Sequence, residues 1–162
     1  MPLAANHEFC DRLLQLLKAE LESSRQLLLI LQQEQSALID GEAEHICSIN
    51  DMKQRQINLL GEQLLKRDHL LTALQLPAGK TGTEQCIALT AENSELENCW
   101  NQLQQLALQL KMRNEVNGGM VVQAQRHVRQ MLNILTCQSD QSTTYGRGGA
   151  EKLRLPQSLA RI

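Results

Sequence analysis

Cysteine and histidine are the side chains of this sequence with the most distinctive chemistry. Both are preferred ligands of zinc, and a cysteine thiolate beside a base can act as a nucleophile. The chain has five cysteines and four histidines, including two close pairs, His7 with Cys10 and His45 with Cys47. A further histidine, His69, could approach the first pair. Whether these groups converge on a metal ion or a substrate depends on the elements that carry them.

The composition predicts that those elements are α-helices. The sequence has three prolines and 2% aromatic residues, and Leu, Gln, Glu and Ala are abundant. The formal net charge of -2 gives no strong field that would favour nucleic acid or an anionic membrane. No signal peptide is visible, and the apolar run from Leu27 to Leu31 is too short to span a membrane. We therefore expect a cytoplasmic protein with reduced thiols and no membrane insertion.

Apolar residues recur at helical spacing through most of the chain. They predict an all-α bundle or coiled coil of three or four long antiparallel helices over residues 1–137, followed by a flexible tail over 138–162. The predicted helices span about 7–39, 42–74, 83–116 and 117–137. Asp40-Gly41 separates the first two helices, and so short a turn makes them antiparallel neighbours. Thr81 and Glu84 have the spacing of a capping box, which marks the start of the third helix.

The glycine pair Gly118-Gly119 leaves two interpretations open for the end of the bundle. Each glycine weakens a helix interior by roughly 1 kcal/mol relative to alanine, and Asn-Gly-Gly is typical of a helix end. In one interpretation the helix ends there, and 117–137 folds back as a fourth helix. In the other the helix runs through, and its last turns extend beyond the two shorter helices. The apolar spacing continues across the glycines, which slightly favours the second interpretation.

The predicted hairpin separates the two histidine–cysteine pairs, because antiparallel pairing places residues 7–10 and 45–47 at opposite ends. His69 beside Cys10 would complete at most a loose trio, so we expect neither a metal ion nor another cofactor. The sequence contains no GxSxG, Walker-type or HExxH motif, and Cys99 lies on a leucine-rich face. We therefore expect no enzymatic activity. A single Arg-Gly-Gly element in the tail does not predict nucleic-acid binding.

Two other features suit the binding of another protein. The first is a stripe of Met, Val, Ala and Leu residues between 120 and 135. It is either core or a groove for a partner's amphipathic helix. The second is Tyr145, the only tyrosine. It is either an ordinary linker residue or the aromatic anchor of a short docking motif. If the last helix is longer than its neighbours, the stripe has apolar surface that needs a partner.

The C-terminal half of the chain carries its motifs in a recognisable order. Leucine-rich antiparallel helices are followed by N-x-x-N-G at Asn114 to Gly118, the pair Val121-Val122, a heptad-like run to Leu135, and Thr-Tyr-Gly at 144–146. Together these features resemble the FlgN family of flagellar type III export chaperones. The resemblance spans roughly residues 7–150. One departure is Gly119, because the family often has a large residue after Asn-Gly.

The resemblance implies a small, non-enzymatic cytoplasmic chaperone. It would bind the terminal helices of hook-associated proteins, FlgK-like and FlgL-like, and deliver them to the export gate protein FlhA. Its client-binding region would be about 116–137, with the candidate residues Asn117, Met120, Val121, Ala124, Val128, Met131, Leu132 and Leu135. Tyr145, with Gly146, would dock on the cytoplasmic domain of FlhA. The alternative is a structural coiled-coil adaptor or scaffold. The preferred client and the oligomeric state stay open.

Overall fold

A computed structural model describes the backbone of residues 3–90 and 94–141, and the side chains of residues 8–90 and 94–136. These residues contain four α-helices and no strand. The helices are α1 (Leu3–Asp40), α2 (Ala43–Ala73), α3 (Gly79–Leu89) and α4 (Ser94–Gln141). The all-α fold that was predicted from composition and apolar spacing is therefore confirmed.

A single tight turn joins α1 to α2. α1 ends at Asp40, and Gly41 takes a φ of 72°, a left-handed conformation that glycine adopts without strain. The backbone N–H of Gly41 donates to the carbonyl of Ala37 at 3.0 Å, which closes the last turn of α1. The turn predicted at Asp40-Gly41 is confirmed, and it sends α2 back along α1.

Two ion pairs fix the register of this hairpin. Arg67 Nη1 lies 2.6 Å from Glu20 Oε2, and Lys53 Nζ lies 2.7 Å from Glu34 Oε1. The two glutamates are two heptads apart in α1, and their partners are two heptads apart in α2. Residue numbers therefore fall in α2 as they rise in α1, which confirms the predicted antiparallel pairing.

α4 packs beside α1 and runs parallel to it. Lys18 pairs with Glu95 near the start of both helices, and further along Arg113 donates to Gln35. All four helices contribute to the main core. Its buried members are Leu13, Leu17, Leu21, Leu70, Leu71, Cys86, Leu96, Cys99, Trp100, Leu103 and Leu106, and a smaller cluster joins Ile30, Ala37 and Ile49. α1 lies between its two neighbours and supplies buried side chains along most of its length.

The structure corrects the predicted third helix over 83–116, which is two helices. α3 ends at Leu89 and α4 begins at Ser94. Thr90 closes the C-terminal end of α3. Its backbone N–H and its hydroxyl both donate to the carbonyl of Ile87, at 3.0 Å and 2.8 Å.

The predicted capping box at Thr81 and Glu84 is also corrected. α3 begins earlier, at Gly79, and Asp68 of α2 satisfies its first N–H, because Oδ1 accepts from the Gly79 nitrogen at 2.8 Å. The loop before α3 approaches it so closely that a Cβ at Gly82 would collide with the carbonyl oxygen of Pro77. The contact with Asp68 of α2 therefore determines where α3 begins, and the local capping box predicted from the sequence does not.

α4 passes through Gly118-Gly119 and continues unbroken to Gln141. Of the two interpretations, the structure therefore shows the continuous helix. A Cβ at either glycine would meet nothing within 4 Å in the described chain, so no close neighbour requires these glycines. The chain divides into two compact units, Met1–Val122 and Gln123–Ile162, and the described part of the second unit consists of α4 residues alone. Residues 142–162, most of the predicted tail, lie outside the described residues.

Candidate protein-binding face

One face of α4 is apolar on both sides of Asn117. At 100° per residue, Leu106 lies on the same side of the helix as Val128 and Leu135. Leu106 is buried in the core, whereas the other two are exposed. We call the C-terminal part of this face the α4 stripe. Its members are Met120, Val121, Ala124, Val128, Met131, Leu132 and Leu135, and they fall within about one third of the helix circumference.

The α4 stripe is open to solvent in the isolated chain. The exposed fractions of Val128, Met131 and Leu135 are 56%, 64% and 63%. Met120 is the one half-buried member, and the rest are exposed. Burying a side chain of this kind fully is worth about 1.5–3 kcal/mol, so an apolar partner surface would gain free energy by covering the stripe. The two methionines add deformability, which suits a groove that accepts more than one partner helix.

The charge around the α4 stripe is positive. Residues 120–136 include Arg126 and Arg129 and contain no Asp or Glu. On the helical wheel Arg126 lies opposite the centre of the stripe and Arg129 lies about 60° beyond its edge, so neither interrupts the apolar surface. A partner helix with carboxylates beside its apolar face would therefore be favoured over a basic one.

Asn117 differs from the other candidate client-binding residues because it is buried, with 1% of its surface exposed. Its Nδ2 donates to the carbonyl of Leu31 at 2.9 Å and to Glu34 Oε2 at 2.8 Å. The other carboxylate oxygen of Glu34 accepts from Lys53 Nζ at 2.7 Å. This network connects α4 to both helices of the hairpin just before the α4 stripe begins.

The residues proposed for docking on the export gate, Tyr145 and Gly146, lie outside the described residues. Among the described side chains, no group of three or more His, Cys, Asp or Glu could hold a metal ion. Burial raises the pKa of the Cys99 thiol above its usual value, which keeps it protonated and a weak nucleophile. None of the described helices is long and apolar enough to cross a membrane.

Sequence reasoning missed a polar group inside the bundle, formed by Glu20, Arg67 and Trp100. The guanidinium carbon of Arg67 lies 5.3 Å from the centre of the Trp100 ring, a cation–π contact, in addition to its ion pair with Glu20. Burial raises the pKa of Glu20 to about 7, although the charge of Arg67 lowers it. The available signal was the spacing of Glu20, two heptads before Glu34 on an otherwise apolar helix face.

Comparison with known proteins gives one match. The family model described as FlgN protein matches residues 9–152, which is most of the chain. Neither a curated protein nor a solved structure matches at a significant level. The matched segment contains all four helices except the first turns of α1, and it extends through the residues that gave the sequence resemblance.

Proposed function

The chain belongs to the FlgN protein family, and from that premise we propose that it is a chaperone for flagellar hook-associated proteins. In this role it binds the terminal helices of FlgK-like and FlgL-like proteins in the cytoplasm. It prevents their premature assembly and delivers them to the type III export gate. The observation that carries the proposal is the α4 stripe, whose apolar side chains from Val121 to Leu135 are exposed.

The α4 stripe supplies the client groove in this proposal. A client's amphipathic helix would lay its apolar side on Val121, Val128 and Met131, and burial of apolar area on both helices would drive the association. The positive charge of this segment would favour client helices that carry carboxylates. α4 is already helical and continuous. Client binding would therefore cost the chaperone little conformational entropy in this segment.

Asn117 has a positioning role in the same mechanism. Its amide is occupied by Leu31 and Glu34, so it is not free to contact a client. It anchors α4 to α1 at the last point before the exposed stripe. The two hydrogen bonds from Nδ2 offset part of the cost of burying the amide, and they would be lost if α4 shifted in register against the hairpin.

Co-purification tests the proposal directly. A tagged full-length chain expressed together with a FlgK-like hook-associated protein should retain that protein on the affinity resin. The same client with its terminal helices deleted should pass through, because the helices are the part that the α4 stripe accepts. Retention of the deleted client, or loss of the intact one, would contradict the proposed client and its proposed binding region.

The proposed gate contact predicts a separable effect of Tyr145→Ala. Loss of an aromatic anchor typically costs about 2 kcal/mol, so affinity for the cytoplasmic domain of FlhA should fall roughly thirtyfold. Client binding should be unchanged, because Tyr145 is not part of the α4 stripe. Isothermal titration of the chaperone–client complex with the FlhA domain gives the measurement. Tyr145→Phe keeps the ring and serves as the control, and equal affinity of the alanine variant and the natural chain would exclude the docking role.

A further inference from the structure

A second binding site lies in the bundle, away from the α4 stripe. A cleft of about 510 Å³ opens between α2 and α4, with Glu20 and Ser24 of α1 at its floor. Its walls are mainly apolar. They consist of Leu60, Leu64, Trp100, Leu103, Ala107, Leu108 and Leu110. On α4 the cleft extends from Trp100 to Lys111, about three helical turns, and it shares no residue with the α4 stripe.

Three buried polar atoms belong to side chains that line this cleft, one from each of three helices. Glu20 Oε1, Arg67 Nε and Trp100 Nε1 have no hydrogen-bond partner within the described residues. Each of these side chains is more than nine-tenths buried. Buried polar groups in folded proteins are almost always paired, so unpaired atoms beneath an apolar pocket are the groups that a bound partner would satisfy.

The chemistry of these atoms defines what the occupant must offer. Arg67 Nε and Trp100 Nε1 each donate a hydrogen, and the free carboxylate oxygen of Glu20 accepts one. A side-chain amide or hydroxyl both accepts and donates, so one such group at the centre of an apolar surface would complement the floor of the cleft. The apolar walls require the rest of the occupant's contact surface to be apolar.

The rim of the cleft is positively charged. Lys80 and Lys111 line it, and both side chains are exposed. Each has only a loose contact with a glutamate one helical turn further on, at 3.7 Å for Glu84 and 3.9 Å for Glu115. The two ammonium groups are therefore available to carboxylates of an occupant.

The charge of the rim argues against occupants from this chain. The tail from Arg147 onward has four basic side chains and a single carboxylate side chain, Glu151. The α4 stripe of a second copy would bring Arg126 and Arg129 and no carboxylate. Either segment would place like charges against Lys80 and Lys111, which is unfavourable.

We propose that the α2–α4 cleft binds an acidic amphipathic helix of a partner protein. The helix would present apolar residues to the walls, an amide or hydroxyl side chain to Glu20, Arg67 and Trp100, and carboxylates to the two lysines. The site is separate from the proposed client groove, and the proposal does not depend on the identity of the client. It gives the chaperone a second surface that can be occupied while the α4 stripe is filled.

The single tryptophan of the chain makes the test specific, since Trp100 lies in the cleft. The full-length chain is labelled with 5-fluorotryptophan and observed by fluorine NMR. The probe is a synthetic peptide of about four helical turns, with leucines and one central glutamine on one face and glutamates on its flanks. The acidic peptide should shift the Trp100 resonance in a saturable way. A matched peptide with lysines in place of the glutamates should bind about tenfold more weakly.

Two pairs of variants locate the effect. Ala107→Phe fills the cleft from an exposed position and should weaken peptide binding about tenfold, whereas Ala88→Phe, on an exposed part of α3 outside the cleft, should not. Lys111→Glu should also weaken binding, whereas Lys66→Glu outside the cleft should not.

Three results would overturn the proposal. The first is equal binding of the acidic and lysine peptides, or no shift with either. The second is a change in the Trp100 resonance on dilution of the chain alone, which would make a second copy the occupant. The third is a change without peptide in the full-length double variant Leu153→Ser, Leu155→Ser, which would make the chain's own tail the occupant.

Discussion

Substituting both Val128 and Met131 by aspartate should abolish the binding of hook-associated proteins. The two side chains are 56% and 64% exposed at the centre of the α4 stripe, and they lie three residues apart on the same side of the helix. Each would contribute about 1.5–3 kcal/mol when buried by a client helix. The aspartates would lose that contribution and would bury charge against an apolar surface. Affinity should therefore fall by more than about a hundredfold.

The stripe also offers a closely matched control. Gln130 and Asn133 are likewise exposed and three residues apart, but they lie on the opposite side of α4. Their double substitution by aspartate adds the same negative charge to the same segment. It should leave client affinity almost unchanged, apart from a small effect of the added charge near the two arginines. Isothermal titration against a FlgK-like protein compares the two variants, and circular dichroism verifies that both keep the natural helix content.

Two outcomes would contradict the client-groove hypothesis. One is natural affinity in the Val128, Met131 variant, which would place the client elsewhere on the chain. The other is slow hydrogen exchange through 120–135 in a chain shown by light scattering to self-associate, with both properties lost in this variant. In that case the α4 stripe would be a contact between copies, and the adaptor interpretation would be favoured.

The sequence was sufficient to predict the helical class, the first turn and the apolar stripe, because each depends on local chemistry. Leucine spacing specifies a helix face, and Asp40-Gly41 specifies a chain reversal. The continuation of apolar spacing across Gly118-Gly119 correctly favoured one helix, although two glycines weaken it. The exposure of Val128 and Met131 was harder to predict. Spacing alone does not distinguish a buried stripe from an open one.

The buried charges were missed because periodicity methods assign polar residues to the surface. Leu13, Glu20, Leu27 and Glu34 follow one heptad spacing in α1, and all four are buried. Each glutamate is buried there because a cation of α2 lies opposite it, Arg67 for Glu20 and Lys53 for Glu34. These pairs can be identified only once the antiparallel register of the hairpin is known.

Two features of the sequence near the junction of α3 and α4 predicted different structures. Ser94-Glu95-Leu96-Glu97 has the Ser-x-x-Glu spacing of a capping box, at the first described residue of α4. The leucine spacing from Leu89 to Leu96 suggested a continuous helix instead. In the structure Leu96 is buried whereas Leu89 is 73% exposed, so the two leucines do not form one core-facing stripe.

Replacing Arg67 by methionine should destabilise the protein, and the loss should depend on pH. At pH 8, one unit above its pKa of about 7, Glu20 would lose its only ionic partner in the described bundle and would take up a proton instead, so the pH-dependent part of the loss should be about 1.4 kcal/mol. The matched control is Lys18→Met, since Lys18 also lies 2.6 Å from a carboxylate, Glu95, but both side chains are exposed. That variant should change little, because exposed ion pairs contribute little. Urea unfolding followed by circular dichroism measures both effects.

The sign of the pH dependence follows from Glu20, whose pKa in the folded protein is about 7, raised by burial from 4.5. The folded state therefore holds this proton more tightly than the unfolded chain, so Glu20 favours folding at low pH and loses that contribution as the pH rises through 7. Without Arg67 the pKa of Glu20 rises further, so in the variant the free energy of unfolding continues to fall up to a higher pH. The difference from the natural chain should therefore be small near pH 5, where Glu20 is protonated in both, and should grow toward pH 8.

The double variant Glu20→Leu, Arg67→Met separates charge from packing. Replacing a buried ion pair by apolar side chains of similar volume is often neutral or stabilising, so this variant should recover most of the stability lost at pH 8 and show no titration near 7. If Arg67→Met is equally damaging at pH 5 and pH 8, and the double variant recovers nothing, Arg67 stabilises the bundle through its contact with Trp100. The ion pair would then be incidental to stability.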